Sequence, residues 1–370
     1  MKRKIAIIHN LPAGGGIRML NAIINRYKST CDIDLYSISV SRQPQIKGVN
    51  QIFIKQSPWK GFLKYNFWIM FVLPQIHKKI ADGINWSKYD LIFVTHDYFT
   101  KSPYIIRYIN SEIYYLCQEP QREYYEKWSI HAPLLKDKIA NIIRYPIKYI
   151  DEKNVSYVTK IFVNSKYSKK VIEKIYNKEC EIIYPGIDEN FFYSTSLEKK
   201  KTKWFLCVGG INKVKDQEFL VESLSPLLDS YKIILIGDGK ECDKKGVKIK
   251  AKNKKSVVIV KNASDERIRD YYRKAMVTCI TAHDEPFGLS SVESQACGTP
   301  VISINEGGSA ETIVDGKTGY LSRRNKLEYC EKIKMAIRNQ EYLRNNSIIN
   351  IKRHWTWDIT LEPLDKYFLK

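Results

Sequence analysis

The sequence lacks the features of a membrane-spanning or disulfide-linked protein. Its longest strongly apolar run, Phe67–Leu73, is far shorter than the roughly 20 residues that a membrane-spanning helix needs. The apolar run Ile5–Ile8 after the basic start ends at His9, so we expect a first buried strand there rather than a secretory signal. The eight cysteines include no Cys-x-x-Cys pair, which favours small buried side chains in a reducing cytosol over disulfides or a zinc site.

Acidic residues are also scarce, since 40 Asp and Glu stand against 61 Lys and Arg, for a net charge of +21. An excess of this size suits an anionic membrane surface, a phosphate-bearing substrate or a nucleic acid. A composition rich in Lys, Ile, Asn and Tyr would also produce it without any function. Because no RNP-like, zinc-finger or helix-turn-helix signature accompanies the charge, we expect no nucleic-acid partner.

The length of 370 residues suits two α/β domains. Both halves alternate short apolar runs with amphipathic stretches, a pattern typical of βαβ units and a mainly parallel sheet. Pro185-Gly186 would end the first sheet, and the polar stretch Ser194–Lys203 is predicted to link the domains. The predicted strands are Ile5–His9, Asp34–Ser39, Leu91–Thr95, Ile113–Cys117, Ile161–Asn164 and Glu181–Tyr184 in the first half, and Trp204–Val208, Lys232–Ile236, Val257–Val260, Val277–Thr281 and Val301–Ile304 in the second.

A glycine-rich loop, Pro12-Ala13-Gly14-Gly15-Gly16, follows the first predicted strand and precedes a helix. Its glycines would let backbone N–H groups approach a phosphate at the helix N-terminus, although a merely tight turn would also explain them. Ligands of open parallel sheets bind beyond the carboxyl ends of the strands, so two facing sheets would frame one cleft.

The most informative stretch is 283–300, which follows the predicted strand Val277–Thr281. A helix is expected to begin near Gly288 and to end before Gly298. The N–H groups of Gly288, Leu289 and Ser290 would then form a helix N-terminus, which suits a diphosphate.

Two glutamates frame that helix end. Glu285 lies just before the helix, where its carboxylate could accept hydrogen bonds from sugar hydroxyls, and Glu293 lies about 7.5 Å along it, where it could reach ribose hydroxyls. With Pro286-Phe287-Gly288 between them, the spacing resembles the E-x7-E motif of the family-4 retaining glycosyltransferases (glycosyl transferases group 1). That family has the α/β GT-B fold, in which two Rossmann-like domains face each other across a central cleft.

The resemblance extends along nearly the whole chain. Val208–Asp216 is similar to the family's Gly-Arg…Lys-Gly loop, which grips the donor diphosphate, with Lys215 at the family's Lys and Gly210 in place of its Arg. Lys213 could supply the missing charge, as a point charge rather than a bidentate fork. Other segments similar to the family's are Asn164–Lys166, Tyr184–Asp188, Ile236–Gly239, Glu306–Glu311, Asp315–Gly319, Trp355–Trp357 and Leu116–Arg122, in which Gln118 replaces a histidine.

The resemblance implies three parts: an N-terminal acceptor-binding domain at 1–190, a nucleotide-sugar-binding domain at 200–354, and a C-terminal helix at 355–370 that packs on the N-terminal domain. It implies a retaining hexosyltransferase acting on a glycan or lipid-linked acceptor in cell-surface polysaccharide or glycolipid synthesis, in the cytoplasm or at the inner face of the membrane. Mannose from GDP-mannose is the first guess, followed by glucose, galactose or N-acetylglucosamine from UDP. No cofactor beyond the nucleotide-sugar is expected, and no metal, because positive side chains and N–H groups take over its electrostatic task.

The catalytic residues that the resemblance implies are His96, after the fourth predicted strand, and Glu285, which would both hold the sugar. A lone histidine at a strand end can equally be structural. The acceptor hydroxyl would attack from the face that the diphosphate leaves, and a phosphate oxygen would take its proton. The donor would contact Gly15, Gly16, Gly209, Lys213, Lys215, Gly237, Phe287, Gly288, Leu289, Ser290 and Glu293.

Particular residues of the sequence leave other functions to be considered. Gly210 suggests a nucleotide-sugar-binding protein that has lost catalysis. A GT-B epimerase would show inverting-type donor loops and a phosphorylase a much longer chain, and a hydrolase would need a nucleophile elbow.

Asp32-Ile33-Asp34 matches the D-x-D metal motif of the other main glycosyltransferase fold, but it opens the second strand, away from the donor. The aromatic and sparsely basic stretch Trp59–Leu73 would lie in a membrane interface or form a buried helix of the N-terminal domain.

Overall fold

The computed structural model describes residues 2–11, 14–42, 44–126, 135–195, 202–251 and 254–370. Pro12 and Ala13 of the glycine-rich loop and residues 196–201 of the predicted linker lie outside the described residues. The chain divides into two compact units. Unit 1 comprises Met1–Tyr184 together with Leu361–Lys370, and unit 2 comprises Pro185–Thr360.

Unit 1 alternates strands and helices along most of its length. Its elements before residue 185 are β1 (Arg3–Asn10), α1 (Gly15–Tyr27), β2 (Cys31–Ser39), β3 (Asn50–Lys55), α2 (Phe62–Phe67), a π-helical turn (Trp68–Val72), α3 (Leu73–Asp82), a 3-10 turn (Trp86–Lys88), β4 (Leu91–Asp97), a second 3-10 turn (Tyr104–Tyr108), β5 (Ile113–Leu116), α4 (Arg122–Tyr125), α5 (Leu135–Ser156), β6 (Lys160–Val163), α6 (Lys166–Tyr176) and β7 (Cys180–Ile182).

The described strands of unit 1 form one parallel sheet in the order β3-β2-β1-β4-β5-β6-β7. The order reverses between β1 and β4, and such a reversal point is where open α/β sheets bind their ligands. Ile5, Ala6 and Ile7 of the central strand β1 are fully buried. A strand buried on both faces needs an apolar run rather than an alternating pattern, which explains why sequence reasoning finds it.

Unit 2 repeats the same alternation. Its elements are β8 (Trp204–Val208), α7 (Gln217–Leu224), a 3-10 turn (Ser225–Leu227), β9 (Lys232–Ile236), α8 (Glu241–Lys250), a 3-10 turn (Lys254–Ser256), β10 (Val257–Val260), α9 (Asp265–Lys274), β11 (Val277–Ile280), α10 (Leu289–Ala296), β12 (Val301–Ile304), a 3-10 turn (Gly308–Thr312), β13 (Gly319–Ser322), α11 (Lys326–Arg338) and α12 (Gln340–His354).

The strands of unit 2 that the structure describes also pair in parallel, in the order β10-β9-β8-β11-β12-β13. Phe205 of β8, Leu220 of α7 and Tyr329 of α11 are fully buried in one apolar cluster. This core holds β8 and β11 side by side. The loops that follow these two strands therefore leave the sheet at the same edge.

The end of the chain contributes to both units. It contains α13 (Trp357–Leu361), a 3-10 turn (Glu362–Leu364) and α14 (Asp365–Phe368), of which residues 361–370 group with unit 1. Arg26 donates two hydrogen bonds to the carboxylate of Asp365, at 2.9 and 2.7 Å, and these bonds lower the pKa of Asp365. The ring of Tyr27 stacks on Phe368 at 4.2 Å, so α14 belongs to the core of unit 1.

Seven of the eight cysteines, all of which lie in the described part of the chain, are buried, and none is in a disulfide. Burial raises the pKa of the Cys117, Cys207 and Cys279 thiols. The expectation of small buried side chains is confirmed for these seven. It is wrong for Cys242, which lies near the start of α8 with an exposed side chain.

The predicted α/β class with two parallel, Rossmann-like sheets is confirmed. Two strands escaped prediction. β3 carries polar residues at both of its ends and is partly exposed at the edge of its sheet, and β13 is short and begins with a glycine. Within the described ranges, no helix combines the length and the apolar character needed to cross a membrane.

Candidate functional site

Unit 2 brings a lysine and a glutamate from different loops into direct contact. Lys215 lies in the loop after β8, and Glu285 lies in the loop after β11. Lys215 Nζ donates a hydrogen bond to Glu285 Oε2, and the two side chains form a partly exposed ion pair. Such a pair contributes little to stability. An anionic ligand can therefore compete for Lys215 at small cost.

Hydrogen bonds to the backbone fix the loop that carries Lys215. The Lys215 N–H donates to Asn212 Oδ1 at 3.0 Å, and the Lys215 carbonyl accepts from Thr281 Oγ1 at 2.9 Å. Gln217 Nε2 donates to the carbonyl of Gly210 at 2.9 Å. The loop is thus tied both to the start of α7 and to the end of β11.

Gly210 occupies the position at which the family resemblance implies an arginine. A Cβ atom added there would meet Asn212 Nδ2 at 3.4 Å and Asp238 O at 3.6 Å, both near ordinary contact distance. Lys213, which the sequence predicts as a replacement charge, instead forms an ion pair with Glu218 of α7 at 2.6 Å. The charge of Lys213 is therefore directed to α7.

Glycines let the loops after β8 and β9 approach each other closely. Gly209 has a φ of +144° and Gly237 a φ of +153°, a region that favours glycine. A Cβ atom at Gly237 would collide with the carbonyl of Gly209, and one at Gly239 would collide with the carbonyl of Ile211. Gly209 and Gly237 thus shape the backbone here.

The N-terminus of α10 opens toward Glu285. Gly288 precedes the helix with a φ of +90°, and no side chain of the described residues caps this end. The N–H groups of Leu289 and Ser290 in the first turn therefore lack a side-chain acceptor, which suits an anion. A Cβ atom at Gly288 would lie 3.7 Å from Glu285 Cγ, and the Gly308 N–H donates to the Glu285 carbonyl at 2.7 Å.

Two other predicted donor residues of this stretch are buried. Glu293 is 5% exposed, and its Oε2 accepts a hydrogen bond from the hydroxyl of Tyr272 at 2.8 Å. Phe287 is 3% exposed and packs against Trp355, with ring centroids 5.6 Å apart. The structure thus places Phe287 in the packing behind the helix end, and it gives Glu293 a protein partner.

Arg324 connects three loops at this edge of unit 2. It follows β13, and its guanidinium donates to Asp216 Oδ2 at 3.0 Å and to Glu306 Oε2 at 2.7 Å. The same group donates to the carbonyls of Thr281 and Ala282 at 3.0 and 3.2 Å. A fixed five-donor fork can hold several acceptors at once. Arg324 therefore ties the Lys215 loop and the Glu285 loop together, a role that sequence reasoning missed because β13 was not predicted.

His283 lies inside the same network. Its Nε2 is 3.2 Å from Asp216 Oδ2 and its Nδ1 is 3.7 Å from Glu306 Oε2. Burial and the positive charge of Arg324 lower the pKa of His283, against the opposing effect of the two carboxylates. The backbone N–H of His283 also donates to the Val214 carbonyl at 2.7 Å, so this residue joins the two loops as well.

In unit 1, Gly16 lies against His96 and Gln118. A Cβ atom at Gly16 would meet Gln118 Oε1 at 2.7 Å and His96 Cε1 at 3.3 Å, so a side chain there would require Gln118 to shift. Gly15 and Gly16 form the start of α1. Burial, together with the positive charge of Lys101, lowers the pKa of His96 to about 3. The imidazole is therefore neutral near pH 7, and its Nδ1 has no partner among the described residues.

The Asp-x-Asp sequence lies in β2 of unit 1. Asp34 Oδ2 accepts from Tyr89 at 2.5 Å and Asp34 Oδ1 accepts from Asn50 at 2.7 Å. These bonds give Asp34 a structural role between neighbouring elements. No group of three or more His, Cys, Asp or Glu residues in the described ranges is arranged to hold a metal ion.

Apart from the loop glycines Gly15, Gly209 and Gly237, the predicted site residues fall into three sets. Lys215, Glu285, Gly288 and the first turn of α10 come together in unit 2. Lys213, Phe287 and Glu293 engage other protein groups, and His96 with Gly16 belongs to unit 1. Arg324 and Tyr272 are added by the structure alone.

The family model described as "Glycosyl transferases group 1" matches residues 189–354. This segment is therefore similar to the group 1 glycosyltransferases. An uncharacterized glycosyltransferase of Methanocaldococcus jannaschii is 28% identical over 211 residues, which make up 57% of this chain and 57% of that protein. The alignment therefore spans less than two thirds of that relative's length.

Solved structures resemble this chain over nearly its whole length. Sucrose-phosphate synthase from Thermosynechococcus elongatus superposes with a TM-score of 0.78 at 17% identity, covering 99% of this chain and 98% of that one. HepE from Anabaena, in complex with UDP and glucose, superposes with a TM-score of 0.73 at 14% identity, covering 99% of both chains. The predicted GT-B fold is confirmed.

Proposed function

We propose that the protein is a glycosyltransferase whose unit 2 binds the diphosphate of a nucleotide-sugar donor. The observation that carries this proposal is the Lys215–Glu285 ion pair beside the uncapped N-terminus of α10. A diphosphate at this position would meet one cation, the N–H groups of the first helical turn and the positive end of the helix dipole. The group 1 match of residues 189–354 supports the same chemistry.

We further propose that transfer retains the configuration at the sugar and needs no metal ion. The acceptor hydroxyl oxygen would bond to the anomeric carbon while the bond from that carbon to the diphosphate breaks, and the hydroxyl proton would pass to the departing diphosphate. Lys215 and the α10 N–H groups would stabilise the charge that develops there. Glu285, released from Lys215, would hold sugar hydroxyls, and His96 stays a predicted contact of the sugar.

The donor and the acceptor follow from the family resemblance. Mannose from GDP-mannose is the first donor to test, followed by glucose, galactose and N-acetylglucosamine carried by UDP. The proposed acceptor is a glycan or a lipid-linked saccharide of cell-surface polysaccharide or glycolipid synthesis. The proposed location is the cytoplasm or the inner face of the membrane.

The binding step is tested by measuring the melting temperature with GDP, UDP and their sugar conjugates. A ligand at 100 times its Kd stabilises the native state by about 2.7 kcal/mol, so the correct donor should raise the melting temperature clearly. Release of the nucleoside diphosphate with and without EDTA then tests the chemistry. The proposal is wrong if no nucleoside diphosphate or nucleotide-sugar stabilises the protein, and metal independence is wrong if EDTA abolishes turnover and Mg²⁺ restores it.

Gly210 favours one alternative, a nucleotide-sugar-binding protein that no longer transfers its sugar. The diphosphate then lacks the family's arginine, and Lys213 is engaged by Glu218. This alternative predicts stabilisation by a nucleotide-sugar with neither hydrolysis nor transfer. Turnover of any donor excludes it.

A further inference from the structure

Two segments of unit 1 expose large apolar side chains beside each other. The first is 59–71, which contains α2, and the second is 135–149, which forms most of α5. Trp59, Leu63 and Phe71 are 47%, 70% and 57% exposed. Together these segments form what we call the α2–α5 surface, whose exposed apolar members are Trp59, Phe62, Leu63, Phe67, Phe71, Leu135, Ile139, Ile142, Ile143, Tyr145 and Tyr149.

The two segments of the α2–α5 surface are connected by a shared buried cluster and by one cation–π contact. Trp68 and Ile69 share the buried cluster with Ile147 of α5. The Arg144 guanidinium lies 5.1 Å from the ring centre of Phe62. The exposed residues are therefore held by structure on both segments, and they are not unpacked parts of a core.

The exposed aromatic side chains contact one another on this surface. The Trp59 and Phe67 rings are stacked at 6.0 Å, and the Phe67 and Phe71 rings lie 4.9 Å apart. Monomeric soluble proteins rarely expose apolar patches of this kind unless they bind a partner. Tryptophan among such residues suits the boundary between lipid headgroups and acyl chains.

The charges of the α2–α5 surface indicate the sign of the charge on its partner. The two segments carry six Lys or Arg residues and one Asp in sequence. Lys60, Lys64 and Lys138 are exposed beside the apolar members. Long basic side chains can lie along an apolar surface while their charges reach lipid headgroups. A partner that is apolar inside and negatively charged at its surface complements both properties.

We propose that the α2–α5 surface docks on an anionic lipid bilayer, with Trp59, Phe67 and Phe71 in the headgroup region. The aromatic side chains supply burial that salt does not remove, and the lysines supply an attraction that salt screens. The proposal does not depend on the donor site, because both segments belong to unit 1 and the Lys215–Glu285 pair belongs to unit 2.

The test is sedimentation of the full chain with vesicles of phosphatidylcholine alone or of an equimolar mixture with phosphatidylglycerol. Salt is set at about 0.1 M and about 1 M, where the Debye length is about 10 Å and about 3 Å. We expect binding to the anionic vesicles that weakens but persists at high salt. A chain that stays in the supernatant with anionic vesicles at low salt overturns the proposal, as does equal binding to both vesicle types.

Two variants separate the contributions. Trp59→Ala/Phe67→Ala/Phe71→Ala should weaken binding by 10-fold or more, on the order expected when three aromatic side chains leave an interface. Lys60→Gln/Lys64→Gln/Lys138→Gln should weaken it by about 5-fold per charge at low salt and less at high salt. The matched controls are Ile249→Ala/Leu327→Ala/Tyr342→Ala and Lys203→Gln/Lys245→Gln/Lys248→Gln, which change exposed side chains of unit 2.

The position of the surface is read directly from tryptophan fluorescence. Brominated lipid should quench part of the emission of the wild type, and Trp59→Phe should remove that part. Melting temperatures show that each variant is folded, and light scattering shows whether the chain self-associates. The proposal is overturned if the control variants weaken vesicle binding as much as the test variants do. It is also overturned if the chain binds no lipid but forms concentration-dependent dimers that the aromatic variant abolishes, because the surface would then bind a second copy of the chain.

Discussion

Lys215 and Glu285 lie in separate loops of unit 2, and their side chains meet in an ion pair. Each side chain therefore compensates the charge of the other. A diphosphate would replace Glu285 as the partner of Lys215, and the released carboxylate would become an acceptor for hydroxyls. The pair thus couples binding of the diphosphate to exposure of the group proposed to hold the sugar.

Replacing Lys215 should weaken binding of the nucleoside diphosphate. A hydrogen bond to a charged group contributes about 1.5–3 kcal/mol, so Lys215→Ala should raise the Kd by about 10-fold to 100-fold. Isothermal titration with UDP and GDP measures it. Lys213→Ala is the control, because Lys213 pairs with Glu218 and should change the Kd less. If Lys213→Ala raises the Kd more than Lys215→Ala does, the diphosphate does not bind beside Glu285.

Glu293 should affect both donor binding and stability. It is buried and accepts a hydrogen bond from Tyr272, so Glu293→Ala should cost about 1–3 kcal/mol of unfolding free energy and also weaken nucleotide binding. Tyr272→Phe removes the hydroxyl and leaves the carboxylate for a ribose. If Tyr272→Phe weakens nucleotide binding as strongly as Glu293→Ala does, the ribose assignment is wrong and the carboxylate is structural.

Arg324 should act as a positioning residue for the donor loops. Arg324→Gln leaves Asp216 and Glu306 without their shared cation and should cost about 1–3 kcal/mol of unfolding free energy. We expect the donor KM to rise while a saturating donor restores much of kcat, and Arg324→Lys to rescue part of the loss. Arg323→Gln is the neighbouring control, since its side chain is 87% exposed. Equal losses in both variants would contradict this role.

Restoring the family's arginine should strengthen donor binding. The Gly210 position has space for a Cβ atom, and an arginine there could grip phosphate oxygens in a bidentate manner. Gly210→Arg should lower the Kd for UDP or GDP. In the double variant Gly210→Arg/Lys215→Ala this gain in affinity should disappear at high salt, because salt screens the ionic contact between the new arginine and the phosphates. Gly210→Gln provides a side chain of similar length without the charge. An unchanged Kd in Gly210→Arg would show that the diphosphate does not reach this loop.

Buried neutral histidines should make the protein sensitive to acid. Burial lowers the pKa of His9 to about 4 and the pKa of His77 to about 3, as it does for His96. Between about pH 6.5 and about pH 4 the unfolded chain binds protons that the native chain does not, so stability falls as the pH falls, by about 1.4 kcal/mol per pH unit for each histidine. Urea unfolding across this range measures the slope.

A single substitution checks the origin of that slope. His77 Nδ1 accepts from the Ile105 N–H at 3.1 Å, and the side-chain oxygen of asparagine can take the same place. His77→Asn should therefore reduce the slope by the contribution of one proton. If His77→Asn leaves the slope of stability against pH unchanged, the acid sensitivity comes from carboxylates such as Asp365, whose pKa is lowered by Arg26.

The sequence predicts the buried strands well because a central parallel strand must be apolar along its length. It does not reveal β3, an edge strand that keeps polar residues, or β13, whose Gly319 is required because a side chain would collide with the Val301 carbonyl. The missing β13 also hid Arg324, whose position at the end of that strand exists only in the folded sheet. Short motifs located Lys215 and Glu285, but their contact depends on strand order.

The sequence also does not predict which glutamate each lysine of the site pairs with. Lys213 and Lys215 are two residues apart, yet one pairs with Glu218 on the following helix and the other with Glu285 on a distant loop. The direction of each side chain depends on Asn212 and Gln217, which hold the loop backbone. Motif matching finds such residues by type, whereas the hydrogen bonds of the loop decide which of them face an open helix end.

The exposed thiol of Cys242 makes the natural sequence suitable for site-specific labelling. The other seven cysteines are buried, and a raised pKa, as at Cys117 and Cys279, keeps a thiol protonated and unreactive toward maleimides. A single fluorophore or spin label can therefore be attached to unit 2 without first removing any cysteine. Fluorescence anisotropy or electron paramagnetic resonance of that label would follow unit 2 as nucleotides or nucleotide-sugars are added to the unaltered chain.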